Sequence, residues 1–553
     1  MSQPKVVIIG AGVGGLSFAT SLKRKLGFVN FTIYEKASEV GGCWRANTYP
    51  GCSSDVQIHW YSLSSDLNPH WNKSHGLQPE ILEYWIHLSK KYILYPHIAF
   101  NTKVISVEWS EKDQHYDIIT EDVVSGQRSF DSANIVISAI GVLENPHIPR
   151  DIPGFDCFKG TYFHSARWPG GLDLRHKRVA VIGNASSGAQ FVPSISEDPT
   201  VEVVNFIRTP TWFNTRPHIP YTDTQKWIFA NVPFAMRLHR AWIMFQFEYP
   251  LLRPLSEDGK QKRIESFTKY LLESTPSKYH DKIIPTHPPG CKRTVANSGF
   301  LASLSRPNLT LNFDGISQIT EDGIITKTGE NLQFDVIIYA TGFKGDTYPL
   351  PVRGLNGTTI QGYYESHGGP TGYLGTTIPD FPNYYLLAGP NTGTPTSTLF
   401  IEEVQIAYAM QLVKPVLDGL ASSFSVTHAA TDAYNAQLQA RLSRSVHVQC
   451  YSWARTGGTG KAFNPFPWAI TIWWWRLRRP IWEHYHAVGA DRWVKQRRFE
   501  RGFRFFKMAI LVFAVLARWK LGSPSVRMVC EFLRHLIRIL NCLQVSRSYH
   551  SQE

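Results

Sequence analysis

The sequence predicts an α/β protein built on two Rossmann-like dinucleotide-binding domains, with a helical insertion and a helical, basic C-terminal tail. A strand, glycine turn and helix open the chain, and the same order of elements recurs from residue 178. Length points the same way, because 553 residues exceed what one hydrophobic core usually organises.

A composition of 43% hydrophobic and 18% charged residues belongs to a globular chain and sets disorder aside. The seven cysteines are scattered and form no CxxC pair, so they read as reduced thiols; neither a disulfide framework nor a metal site is expected. Residues 6–9 lead straight into a glycine turn rather than a cleavage site, which makes a cytoplasmic protein the expectation. The net charge of +13 is concentrated late: residues 476–553 hold 16 Lys and Arg against 5 Asp and Glu, while the rest holds 41 against 39. A nucleic-acid enzyme would carry its positive charge around the catalytic region, so no nucleic-acid partner is expected.

The first nucleotide motif begins with the strand-like run Val6-Val7-Ile8-Ile9 and continues through Gly10, Gly12 and Gly15 into a helical stretch over residues 16–25. The first glycine permits the tight turn, the second lets a pyrophosphate approach the backbone, and the third brings helix close to strand. The helix N-terminus then faces the phosphates. A second strand over residues 31–34 ends at Glu35, twenty residues beyond Gly15, where a carboxylate accepts hydrogen bonds from ribose hydroxyls.

The second motif runs from the strand at residues 178–182 through Gly183, Ala185, Ser187 and Gly188, with another strand over residues 201–207. Twenty residues beyond Gly188 stands Arg208 rather than an acid, followed by Thr209. A guanidinium there suits a 2'-phosphate and favours NADPH over NADH. Ala185 departs from the pattern, and its methyl group is expected to crowd the pyrophosphate.

Between the motifs, Phe158, Gly160, His164, Trp168 and Pro169 stand at the spacing FxGxxxHxxxWP. This is the fingerprint of type I Baeyer-Villiger monooxygenases, and the chain resembles that branch of the flavin-containing monooxygenase superfamily. Relatives that hydroxylate nitrogen or sulfur usually end the motif on another aromatic without the proline. Gly41-Gly42-Cys43-Trp44 through Tyr49-Pro50-Gly51 to Asp55-Val56 is similar to a second family segment, with Cys43, Arg45 and Ala46 replacing Thr, Tyr and Trp. Matches continue at residues 290–293, 335–342, 389–391 and 450–453, and together they resemble the fungal branch, whose members act in secondary metabolism.

The resemblance implies FAD in the first site, NADPH in the second, and O2 and a small-molecule carbonyl compound as substrates. One oxygen would be inserted next to the carbonyl, turning a ketone into an ester or lactone by way of a flavin C4a-peroxide. Arg293 would be the catalytic cation and Asp55 its partner. Cofactor contacts would come from Gly10, Gly12, Gly15, Glu35, Cys43, Trp44, Asp55, Val56 and Tyr61, from Gly183, Ser187, Gly188, Arg208 and Thr209, and from Asn391 and Trp453. His164 would lie in a linker between domains. An N- or S-hydroxylating flavin monooxygenase and a catalytically silent FAD-binding protein stay open as alternatives.

The family plan divides the chain into an FAD-binding domain (1–150 and 335–490), an NADPH-binding domain (151–215 and 285–334), the helical insertion (216–284) and the tail (491–553). The insertion's aromatics, Trp227, Phe229, Phe234, Trp242, Phe245 and Phe247, read as core. The glycine-rich segment 456–460 reads as mobile. In the tail, Val529, Phe532, Leu533, Leu536, Leu540 and Leu543 share one helical face opposite Arg527, Arg534 and Arg538. Such a helix packs on the enzyme's own body or meets an acidic membrane surface. No pattern reports the oligomeric state.

Overall fold

The computed structural model describes residues 3–215, 218–252, 256–394, 396–499, 506 and 508–510. The chain forms two compact units, Met1–Ala487 and Val488–Glu553. All the elements below belong to the first unit; in the second, residues 491–499 are helical.

The first sheet is parallel, in the order Tyr384–Leu386, Ile135–Ser138, Val6–Ile9, Phe31–Tyr34, Ile98–Ala99. Val6–Ile9 lies at its centre with all four residues buried, as a strand covered on both faces must be. The helices Val13–Ser21 and Thr398–Leu417 pack against each other beside it. A second layer, Thr102–Ser110, His115–Asp122 and Arg128–Ala133, contributes Trp109 and Tyr116 to a core shared with Val7 and Val136.

The second sheet is also parallel, in the order Leu309–Asn312, Glu202–Phe206, Arg178–Ile182, Val336–Tyr339, Thr161–His164. One boundary differs from expectation. The chain was expected to rejoin the first domain at residue 335, yet Val336–Tyr339 pairs with Arg178–Ile182 on one side and Thr161–His164 on the other. This strand is buried throughout and completes the second sheet, so the return begins after Tyr339.

The two passages between the sheets run side by side. Asn145–Pro146 pairs antiparallel with Phe343–Lys344, and the His147 amide donates to the Gly342 carbonyl at 2.8 Å. The Thr341 hydroxyl donates to the His147 carbonyl.

Residues 216–284 hold the helices Asp223–Asn231, Ala235–Leu252, Glu257–Ser274 and His280–Ile283. Their aromatics are not the expected core. Trp227, Phe234, Trp242 and Phe245 are exposed, and Phe229 and Phe247 are only partly covered. Helical periodicity explains the error: in Ala235–Leu252 the anchoring face is Arg240, Ile243 and Glu248, and the large rings lie on the other side.

The expected amphipathic stretch at residues 526–545 lies outside the described residues. Among the described residues no helix is long and apolar enough to cross a membrane.

Candidate active site

Each glycine motif opens a helix whose first turn lacks a side-chain cap and any acid, so its amide groups remain for an anion. Gly10, at φ +105°, turns the chain, and a Cβ there would meet the Ala139 carbonyl at 2.8 Å. A Cβ on Gly15 would lie 1.9 Å from the Gly10 carbonyl, which leaves room for glycine only. Gly12 faces Gly42, so two glycine turns form opposite walls of one cradle. Glu35 sits buried at its rim, accepting from the Ala11 amide at 2.7 Å and the Ala37 amide at 2.9 Å. These residues suit the pyrophosphate and ribose of FAD.

The second motif repeats this geometry with Gly183 at φ +110°. Ala185 keeps the turn of the first motif: its φ and ψ, −77° and −166°, match those of Gly12, −80° and −170°, a conformation open to any residue. Arg208 follows the strand Glu202–Phe206 and lies exposed, its guanidinium 5.7 Å from the Tyr451 ring centroid. Lys292, to which the sequence reading gave no role, sits close enough for the Arg208 charge, together with burial, to push its ammonium below the usual lysine range. The two cations give the site more positive charge than the motif alone reveals. Arg208→Ala is expected to weaken NADPH use by about 10- to 100-fold, the loss of one charge-assisted hydrogen bond, and to leave NADH use unchanged. Steady-state kinetics with both nucleotides checks this, and an unchanged preference would place the 2'-phosphate elsewhere.

A chain of aromatic contacts runs from the fingerprint to Asp55. Phe163 meets Trp168 at 5.2 Å, Trp168 meets Phe191 of the second nucleotide helix at 5.2 Å, and Phe191 meets Tyr49 at 5.9 Å. Gln190 completes the link. Its Oε1 accepts from the Tyr49 hydroxyl at 3.0 Å, and its Nε2 donates to the Ser53 carbonyl at 3.1 Å and to Asp55 Oδ1 at 3.4 Å. Ser186, in the first turn of the same helix, donates to Asp55 Oδ2 at 3.4 Å. Nothing in the sequence marks Gln190, an ordinary helix residue until its neighbours are known.

Asp55 and Arg293 form an ion pair with Nη2 to Oδ2 at 2.9 Å. The carboxylate is sheltered, with a side chain 16% exposed, while the guanidinium is 61% exposed. The acid is therefore the fixed member, and the cation reaches from it into open space.

The Arg293 loop is held on both sides. Val295–Asn297 pairs with Phe213–Thr215, and Trp212 Nε1 donates to the His287 carbonyl at 2.7 Å. Cys291 is bonded to Cys450 across 159 residues of sequence, which corrects the expectation that all cysteines are free thiols. The bond forms because folding brings their Cα atoms to 6.1 Å, a proximity that scattered spacing cannot report. It ties the Arg293 loop to the segment carrying Trp453. That segment is also ordered, against expectation: Ser452 N donates to Gly458 O at 2.9 Å, and Arg455 donates to the carbonyls of Val448, Cys450, Thr459 and Gly460.

Near the first motif, Trp44 Nε1 donates to the Tyr61 hydroxyl at 3.1 Å, and Val56 is buried next to Trp60. Burial pushes the Cys43 thiol up to about 12 and keeps it neutral. Glu402, on the helix Thr398–Leu417, faces this group and was not foreseen. It is 7% exposed, Oε2 has no hydrogen-bond partner among the described residues, and burial with the nearby Glu403 charge raises its carboxyl to about 8. Asn391, at φ +56°, spends its amide on the Ala462 and Pro465 carbonyls at 3.0 and 3.1 Å and so fixes two turns together. His164 is buried, accepts from the Ala166 amide at 3.1 Å, and is held neutral by burial, which lowers it to about 4.

Two dinucleotide cradles with a paired arginine and aspartate beside them define an oxidoreductase that joins a flavin to a pyridine nucleotide. Residues 3–352 match the flavin-binding monooxygenase-like family. The chain is 33% identical to a Baeyer-Villiger monooxygenase of Pseudomonas aeruginosa, over 86% of this chain and 89% of the relative. It is 32% identical to the FAD-binding monooxygenase tazF of Aspergillus terreus, over 81% and 82%. Among solved structures, cyclohexanone monooxygenase from Rhodococcus sp. Phi1 bound to NADP+ superposes with a TM-score of 0.77 at 24% identity, covering 88% of this chain and 99% of that one. The chain belongs to the flavin-binding monooxygenase-like family and, within it, to the Baeyer-Villiger monooxygenases.

Proposed function

We propose that this protein is an FAD- and NADPH-dependent monooxygenase that uses O2 to place one oxygen atom beside the carbonyl of a small organic molecule, giving an ester or lactone. The observation that carries this reading is the Asp55–Arg293 pair, a fixed carboxylate presenting an open guanidinium beside both nucleotide motifs. FAD, reduced by NADPH, supplies the activation of O2 when bound.

The chain's own residues do the rest. Gly10, Gly12 and Gly15 admit the FAD pyrophosphate and Glu35 meets its ribose, while Gly183, Ser187, Gly188, Arg208 and Thr209 hold NADPH. Cys43, Trp44, Val56 and Tyr61 form the wall beside the first motif, and Asn391 and Trp453 close the site from the returning chain. Arg293 offers positive charge where negative charge develops on oxygen, and Asp55 holds its guanidinium in one orientation. The alanine, cysteine and arginine at positions 46, 43 and 45 make the flavin surroundings this chain's own. Likeness to fungal FAD-binding monooxygenases such as tazF supports a place in secondary metabolism. The protein is cytoplasmic, and its basic C-terminal residues serve position rather than chemistry.

Product analysis under 18O2 with a ketone and with an amine tests the assignment. A singly labelled ester from the ketone is expected. Labelled N-hydroxy product with no ester would assign the hydroxylating reaction instead, and NADPH that leaves the flavin colour untouched would make the protein a silent flavin binder.

A further inference from the structure

The insertion helix Ala235–Leu252 is firmly seated on one side and exposed to solvent on the other. Its inner face inserts Ile243 against Val56 and Trp60. Arg240 donates to the Ser62 carbonyl at 2.8 Å and to the His59 carbonyl, and its guanidinium lies 5.2 Å from the Trp60 ring. Glu248 accepts from the Ile470 and Thr471 amides at 2.9 and 3.0 Å, and so caps the helix Ile470–Leu477. A helix fixed by these contacts cannot turn its outer face inward.

That outer face is apolar along its whole length. Leu238, Trp242, Phe245, Tyr249 and Leu252 follow one another at helical spacing, with Phe234 just before the helix, each between 45% and 72% exposed. Trp242 and Phe245 stack at 5.8 Å, and Phe245 meets Tyr249 at 5.4 Å, so the rings form one surface. Trp227 on the preceding helix Asp223–Asn231 and Trp474 and Trp475 on the capped helix are exposed as well. An apolar face of this kind marks an interaction site.

Charge identifies the partner. The only acid on the helix, Glu248, is buried and occupied as a cap, while Arg237 is exposed. The capped helix carries Arg476 and runs into Arg478 and Arg479 without an acid, and Arg478 lies 3.5 Å from the Trp475 ring centroid. Tryptophan and tyrosine rings flanked by arginines suit the headgroup level of an anionic bilayer, where the ring is buried and the cation meets phosphate.

We propose that the outer face of Ala235–Leu252, with Trp227, is a docking surface for anionic phospholipid membranes. The same helix packs its inner side against Val56 and Trp60, so a docked enzyme would hold that wall one helix away from carbonyl substrates dissolved in the bilayer.

The test uses the full chain, loaded with FAD, and vesicles of phosphatidylcholine with or without phosphatidylserine. Sedimentation is expected to show binding that needs phosphatidylserine and weakens with salt. Trp242→Ser combined with Phe245→Ser should lower the partition by about 10- to 100-fold, since each ring removed takes its apolar area out of the bilayer. Trp242→Phe should keep most of it. Both positions are solvent-facing, and an unchanged flavin spectrum will verify the fold. Equal binding by wild type and the double variant, or no binding by wild type, overturns the proposal. A wild-type dimer that the double substitution dissociates would assign the face to a second copy and overturn it as well.

Discussion

Replacing Arg293 by alanine is expected to leave FAD bound and to abolish oxygen transfer. The cradle proposed for FAD is built from Gly10, Gly12, Gly15 and Glu35 rather than from the guanidinium, so flavin colour should persist. Reduction by NADPH should continue, because it depends on how the two cofactors lie against each other. Ester formation should fall by about 100- to 1000-fold, the usual effect of removing one preorganised electrostatic partner, and the oxygen consumed should appear as hydrogen peroxide. Arg293→Lys should recover part of the activity: an ammonium restores the charge but lacks the planar fork that pairs with Asp55 while pointing outward. Stopped-flow reduction, peroxide assay and product analysis together check the sequence of effects. Normal ester yield from Arg293→Ala would move the catalytic cation elsewhere.

The second large effect is expected from Glu402→Gln, read as stability against pH. The Glu402 carboxyl rises from its ordinary 4.5 to about 8 in the folded protein, because burial disfavours the charged form and Glu403 adds like charge. Cys43 and Tyr61 face it from neighbouring segments, and Val13–Ser21, packed alongside, offers no titratable group. With the folded value raised, the native state holds a proton that the unfolded chain releases. Stability from this group is full below pH 4.5, declines as pH rises, and is lost once pH passes 8. Glutamine keeps the shape without the charge, so at pH 9 the variant should be the more stable by about 2 to 4 kcal/mol, with the difference vanishing near pH 4. Thermal unfolding followed by circular dichroism across this range measures it. A difference that does not vary with pH would mean that the side chain is ionised in the fold or reaches water.

The features legible in the sequence were those whose chemistry is local. A glycine motif states its own geometry, since Gly15 lies within hard contact of Gly10 and six residues contain the whole constraint. The FxGxxxHxxxWP fingerprint is similar in kind: Gly160 is pressed between Phe158 and the Asp335 carbonyl. Contacts made over long separations were not legible. Cys291 and Cys450 become partners only after the chain between them has completed the second sheet and returned to the first, and Gln190 gains its meaning from Tyr49 and Asp55 in another domain. Glu402 was hidden because an acid in a largely apolar helix reads as a solvent position, whereas this helix is buried on most sides. The insertion was misjudged for the opposite reason. Hydrophobic periodicity marks which side of a helix differs from the other, and it does not say that the greasy side faces inward.

The paired passages at Asn145–Pro146 and Phe343–Lys344 act mechanically as a ribbon. A single linker lets two bodies swivel about any axis, whereas two strands laced by ladder bonds bend readily across their flat face and resist sliding past each other, because shear would break those bonds together. A movement of one nucleotide sheet against the other that keeps these bonds is therefore a bend of the ribbon and not a slide along it. Phe343 lies on this ribbon with its ring edge-on to His164 at 5.5 Å, so the fingerprint histidine rests against the part that flexes. Any opening of the cleft for nucleotide exchange must roll across that contact.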